Sequence, residues 1–182
     1  MVDVNLKKEF KTAVDGLAKG LEEADVDQLI SMTQRIEIPS GRVLIKDQQP
    51  VEQIYIVIKG KLDAVLEDSQ GKSIVVGSIG AGDLIGEVSL LSGSMIASSS
   101  VVTASDVVVL KMTHTAFSSL MNEGSHLARS LLEYVVSRLC IRLKSSRARV
   151  VDQMRGAEKL TSNVILSESK QSSFLSRLLG LR

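Results

Sequence analysis

The chain has 182 residues, 44% of them hydrophobic and 24% charged, and carries a net charge of +1. That length suits one domain with an appendage, and that balance can bury a core. One cysteine excludes an internal disulfide framework and a cysteine-based zinc cluster, and no apolar run approaches the ~18 residues of a membrane span.

The opening residues, Met1-Val-Asp-Val-Asn-Leu-Lys-Lys, lack the apolar core of an export signal, so a cytoplasmic protein is expected. Leu6, Phe10, Val14, Leu17 and Leu21 then recur at spacings of four and three, one stripe of a helix. Gly16 and Gly20 weaken its end. Asp25 with Gln28 resembles a capping box and predicts a second, shorter helix through Leu29, Ile30 and Met32. From Gln34 to Met112 the pattern changes to β-branched runs separated by Gly, Asp, Pro and Ser. They include Arg42–Lys46, Gln53–Lys59, Lys61–Glu67, Ser73–Ile79, Ser99–Thr103 and Val107–Met112. This rhythm predicts a small antiparallel sandwich or barrel. Lys59-Gly60-Lys61 and Asp68–Gly71 fit hairpin turns.

Beyond Met112 the helical period returns. Thr113 is placed to cap a short helix over Thr115–Asn122, closed by Gly124, and Ser125 to cap a long one. Leu132, Val136, Leu139, Leu143, Val150 and Ala157 follow heptad a and d spacing, interrupted by Ser146 and Gln153. Thirty-five helical residues would span ~52 Å, more than a small barrel covers. Either the helix packs back on the barrel, or residues 126–157 form a homodimer; the homodimer is the sharper expectation. Cys140, within this helix, reads as a buried structural thiol. Residues 161–173 read as a Ser-rich linker. Phe174 with Leu178, and Leu175 with Leu179, then make a short amphipathic segment. It could cover its own body, dock in a partner protein's groove, or associate weakly with a membrane surface. The near-zero charge is a cancellation: residues 141–182 carry nine Lys/Arg against three Asp/Glu, a net +6, which leaves −5 on residues 1–140.

The stretch Gly80-Ala-Gly-Asp-Leu-Ile-Gly-Glu-Val-Ser-Leu-Leu-Ser-Gly93 carries the chemistry. Three glycines in seven residues lead into a brief helical turn. Backbone amides at such a turn can gather an anion, whereas the Glu87 carboxylate beside them suits a sugar hydroxyl. A sugar-phosphate ligand accounts for both; a plain Gly-rich hairpin with an exposed Glu is the alternative.

With Gly41-Arg-Val-Leu-Ile, Tyr55-Ile-Val-Ile-Lys-Gly60, Val101 and the strand Val107–Met112, the stretch resembles the cyclic-nucleotide-binding domain family. That family includes the bacterial catabolite activator protein and cyclic-nucleotide-regulated kinases and channels. The resemblance covers roughly residues 25–145. It implies an α+β fold, an antiparallel eight-stranded β-roll with N-terminal helices and a long C-terminal helix. It also implies a phosphate-binding cassette from Gly86 to about Val101. The implied divisions are an N-terminal helix at 1–24, the β-roll at 25–124, the long helix at 125–160, and the linker with its amphipathic segment at 161–182.

The departures are specific. The family's cassette arginine falls on Ala97, or on Ile96 at the shorter eukaryotic spacing. The usual glycine in the turn before the Tyr55 strand is replaced by Gln48. The candidate site residues are Gly86, Glu87, Val88, Ala97, Ser98 and Ser99. By the resemblance Glu87 reads a ribose hydroxyl, and Ser98 and Ser99 line the phosphate side. Losing a bidentate charged pair weakens phosphate binding by roughly 10- to 1000-fold. Arg142, where relatives contact the base, reads as a solvated helix arginine.

No nucleophile, base and orienting partner fall together, so no enzyme is expected and no cofactor is required. Only about 22 residues follow Leu160, against ~60–70 for a helix-turn-helix domain, so sequence-specific DNA binding is not expected. Two function classes remain. One is a dimeric regulatory sensor or adaptor with weak or altered ligand binding. The other is a receptor for cyclic AMP, cyclic GMP or another nucleotide that signals through its C-terminal helix and tail.

Overall fold

The structure is a computed structural model and describes residues 4–67 and 70–145. The chain divides into two units, 1–141 and 142–182. The first unit holds the helices and strands below as far as residue 141, and residues 142–145 of the last helix belong to the second.

Three short helices come first: α1 (Val4–Ala13), α2 (Asp15–Ala18) and α3 (Glu23–Ser31). Eight strands follow: β1 (Gln34–Ile38), β2 (Val43–Ile45), β3 (Gln53–Lys59), β4 (Lys61–Glu67), β5 (Ser73–Gly80), β6 (Leu84–Ile85), β7 (Ser100–Thr103) and β8 (Val107–Thr113). Helix α4 (Glu87–Leu91) sits between β6 and β7, and α5 (His114–Glu123) follows β8. A last helix, α6, starts at 126, and helical backbone continues to 145. The strands form two four-stranded sheets, ordered β1-β8-β3-β6 and β2-β7-β4-β5, with every pairing antiparallel. This is the expected eight-stranded β-roll.

Side chains alternate across a strand, so β3 feeds two cores. Ile54, Ile56 and Ile58 point to the helices, where they join Phe10, Val26, Leu29, Phe117, Leu127 and Leu131. Tyr55 and Val57 point to the second sheet, where they meet Leu62, Ile79 and Val101. A sheet covered on both faces explains why β3 is an unbroken apolar run. On β8 the same division sends Leu110 and Met112 to the helices and Val107 and Val109 to the second sheet.

The helix ends follow from local chemistry. The Thr113 hydroxyl accepts from the Ala116 amide, and Gly124 ends α5 in the left-handed region. The Ser125 hydroxyl accepts from the Ala128 amide at 3.2 Å, opening α6. The start of α3 differs from expectation: its capping box is Glu22 with Asp25, not Asp25 with Gln28. The N-terminal stripe is also not one helix. Val14 has non-helical backbone (φ −111°, ψ 42°) and separates α1 from α2, while Phe10, Val14 and Leu17 all stay buried.

Cys140 corrects a sequence expectation: it is exposed. The buried face of α6 is Leu127, Ala128, Leu131 and Val135, and Cys140 lies off it, with exposed Leu132, Val136 and Leu143. Arg142 is half-buried rather than solvated. Val150, Ala157, the linker over 161–173 and the segment holding Phe174, Leu175, Leu178 and Leu179 lie outside the described residues. No helix among the described residues is long and apolar enough to cross a membrane.

Candidate functional site

The site begins at the turn between β5 and β6. The Gly82 amide donates to the Val57 carbonyl at 2.8 Å, and the Val57 amide donates to the Asp83 carbonyl at 2.9 Å. The Asp83 carboxylate accepts from the Gly80 amide at 2.8 Å. The turn is thus tied to β3 and closed on itself. Strand β6 is only Leu84 and Ile85, paired with Ile56 and Tyr55.

Gly86 comes next, at φ 91°, and a Cβ there would lie 2.5 Å from the Gln53 carbonyl oxygen. Only glycine fits so close an approach. Glu87 then opens the five-residue α4 and is 1% exposed, while Val88 faces outward. A chain reversal through Gly93 and Met95, both with positive φ, returns the backbone. Ser89 fastens this reversal: its hydroxyl donates to the Ile96 carbonyl at 2.8 Å, and its carbonyl accepts from the Met95 amide at 3.1 Å.

The returning segment runs along the loop before β3. The Val51 amide donates to the Met95 carbonyl at 2.8 Å, the Ala97 amide to the Gln49 carbonyl at 2.9 Å, and the Gln48 amide to the Ala97 carbonyl at 3.1 Å. The Asp47 amide donates to the Ser100 hydroxyl at 3.0 Å. Ala97 is 3% exposed, Ser98 is exposed, and Ser99 is half-buried. Segment 46–53, the loop before β3 and its first residue, therefore holds both halves of the candidate site, with Gly86 against Gln53 and Ala97 against Gln48 and Gln49.

From Gly86 to Val101 the sequence holds one carboxylate, Glu87, and no Lys, Arg or His. A site with that charge receives hydroxyl or amide donors more readily than an anion. Gln48 lies in the left-handed region, at φ 59°. Among the described residues no cluster of three His, Cys, Asp or Glu could hold a metal ion.

Three residues outside the predicted set connect this region to α6. The Arg138 guanidinium grips Asp83 Oδ1 with two nitrogens, Nη2 at 2.6 Å and Nε at 3.0 Å. Asp83 itself is 5% exposed. One helical turn earlier, the Tyr134 hydroxyl donates to the Gly82 carbonyl at 2.7 Å. Burial pushes the Tyr134 phenol above its ordinary pKa; Arg138 pulls it down and Asp83 pushes it further up. The available sequence signal was the i,i+4 spacing of Tyr134 and Arg138 beside the buried positions Leu131 and Val135.

Residues 35–123 match the family model for the cyclic nucleotide-binding domain. The chain is 24% identical over 124 residues to the CRP-like cAMP-activated global transcriptional regulator of Mycobacterium tuberculosis, covering 68% of this chain and 55% of that protein. It is 28% identical over 128 residues to a lysophospholipase of Phaeosphaeria nodorum, covering 70% of this chain and 8% of that enzyme. The chain thus spans about half of one relative and a small part of the other. A cyclic nucleotide-binding domain from Methylobacillus flagellatus has the same fold, with a TM-score of 0.71 at 20% identity, over 81% of this chain and 85% of that one.

Proposed function

Because residues 35–123 are a domain of the cyclic nucleotide-binding family, we propose that this chain is a non-enzymatic regulatory protein whose cassette binds ordinary cyclic nucleotides weakly or takes an altered ligand. The observation that carries this reading is Ala97. By the family resemblance it falls where an arginine would grip phosphate, its side chain is packed inside, and the cassette holds no basic residue. Domains of this family are in general regulatory modules. The match to the lysophospholipase covers 8% of that enzyme and lends no catalytic role to this chain.

In this reading the β-roll is a platform for a cytoplasmic signalling sensor or adaptor. A second copy would join through residues 126–157, where Leu132, Val136 and Leu143 are exposed on the described part. The terminal segment with Phe174, Leu175, Leu178 and Leu179 would then meet a partner protein. The alternative is a nucleotide receptor that signals through the same helix and tail. It draws on Gly86 and Glu87, which keep the family's residue types next to the cassette turn.

Calorimetry with cyclic AMP on the natural chain and on Ala97→Arg separates the two. Weak or absent binding that tightens in Ala97→Arg supports the first. Submicromolar binding by the natural chain overturns it in favour of the receptor.

A further inference from the structure

The β3–β6 ladder sets Ile56 opposite Leu84 and Tyr55 opposite Ile85, and continuing that register by two positions brings Gln53 to Glu87. The close approach of Gly86 to the Gln53 carbonyl holds the two segments together there. Side chains alternate along β3, so Gln53 leaves it on the face of Tyr55 and Val57. Its Oε1 is buried and has no hydrogen-bond partner among the described residues, and Glu87 beside it is 1% exposed. We infer that Gln53 is a second ligand-reading residue next to Glu87, and that the two acceptors select a neutral ligand with adjacent hydroxyls, the cis-diol of a ribofuranose, over a cyclic phosphate.

An acceptor buried without a donor destabilises a fold, and a ligand hydroxyl that donates to it removes the penalty. Thr113, the neighbour of Gln53 on β8, spends its hydroxyl oxygen on the Ala116 amide at 3.1 Å. Gln53 as a whole is half-buried, so its side chain borders solvent and is not sealed in the core. The charge around it disfavours an anion: segments 46–53 and 86–101 together hold Asp47, Glu52 and Glu87 against one base, Lys46. A 3′,5′-cyclic phosphate adds a negative charge and locks one ribose hydroxyl into an ester. It leaves a single donor for two acceptors. An uncyclised riboside brings two donors and no charge. Sites built to hydrogen-bond a hydroxyl discriminate strongly against an analogue that lacks it.

The inference rests on the proposed reading of the cassette as one with an altered ligand, and it names the class of that ligand. Calorimetry on the full chain is run with methyl β-D-ribofuranoside, with the four ribonucleosides and with cyclic AMP. At least one neutral riboside is expected to bind about tenfold or more tightly than cyclic AMP, and its 2′-deoxy and 3′-deoxy forms each to bind roughly tenfold more weakly. The methyl riboside separates recognition of the sugar alone from recognition of a whole nucleoside. Gln53→Met removes the amide at similar shape. It should bind the same riboside roughly tenfold more weakly, and one of the two deoxy forms should then lose nothing further. The variant should unfold at the same or a higher denaturant concentration, because an unfilled buried acceptor is gone. If it fails to fold, the deoxy series on the natural chain carries the test. No binding of any neutral riboside up to millimolar concentration, indifference of the natural chain to either hydroxyl, or unchanged binding by Gln53→Met overturns the inference. Weak cyclic AMP binding alongside such a failure leaves the regulatory reading standing, whereas submicromolar cyclic AMP binding overturns that reading itself.

Discussion

The Gln48 amide donates to the Ala97 carbonyl at 3.1 Å, and the turn that makes this bond holds Gln48 at φ 59°. The two residues that the sequence reading sets against the family pattern are therefore direct partners. The left-handed region penalises a side chain with a Cβ by roughly 1–2 kcal/mol. Gln48→Gly is expected to raise stability by about 1 kcal/mol, after the greater freedom of glycine in the unfolded chain is offset. Denaturant unfolding of the two proteins would check this, and a lowered midpoint would contradict it.

Gly86 and Gly71 provide a matched pair. Both have positive φ, but a Cβ at Gly86 would press on Gln53 and Val51, whereas a Cβ at Gly71 would meet nothing within 4 Å. Gly71→Ala should cost only the backbone penalty, about 1 kcal/mol. Gly86→Ala adds overpacking against main chain and should cost roughly 2–4 kcal/mol. Equal losses in thermal unfolding would refute the close approach.

The exposed apolar face of α6 predicts self-association. Leu132 and Val136 are 40% and 49% exposed and face away from the roll's own core. The natural chain is expected to scatter light as a dimer at tens of micromolar, and the double variant Leu132→Glu with Val136→Glu as a monomer with unchanged circular dichroism. A monomeric natural chain at that concentration removes the dimer.

Alkaline titration reports the buried phenols. Burial raises both Tyr55 and Tyr134 above 10.0. A group with a raised folded pKa stabilises fully below its unfolded value, and that contribution disappears as pH climbs through the folded value. Lys7 is also raised from 10.5, first by its hydrogen bond to Asp27, and acts in the same direction. Stability should therefore fall as pH rises beyond about 10. Phenolate absorbance should appear later in the folded chain than in denaturant. Coincident titrations would count against burial of these hydroxyls.

At the acid end Glu23 behaves oppositely. Hydrogen bonds from Lys11 and then Lys7 lower it from 4.5. Its contribution is present above 4.5 and is lost as pH falls through the lower folded value. Because the group is exposed, the effect is expected to be small and to vanish in high salt. Glu23→Gln should leave neutral-pH stability in high salt unchanged.

The strands with a strong β-branched signal were legible from the chain. Gln53–Lys59 and Lys61–Glu67 occupy β3 and β4 as expected. The two strands left out fail for different reasons. Gln34-Arg-Ile-Glu-Ile38 does alternate, but its polar positions hid it beside the preceding helix. Leu84–Ile85 is too short to show any period. At the site, glycine spacing marked Gly86, and the family pattern marked Ala97. Neither could show that both rest on segment 46–53, because that meeting joins segments more than thirty positions apart. Asp83, Tyr134 and Arg138 escaped for the same reason: the i,i+4 spacing of Tyr134 and Arg138 gives no sign of an ion-pair partner 55 positions away.

The helix-side core joins the two ends of the folded unit: Phe10 and Leu127, 117 positions apart, are buried in one cluster. At ribosomal speeds of about 5–20 residues per second, Phe10 leaves the ribosome roughly 6–23 seconds ahead of Leu127. During that interval only the β4–β5 hairpin pairs from neighbouring strands, since β1 and β3 await β8 and β2 awaits β7, and the apolar faces of α1 and α3 have no finished surface to settle on. The helix-side core is therefore the last part of the unit to close, and until it does a chaperone would find its apolar residues to hold.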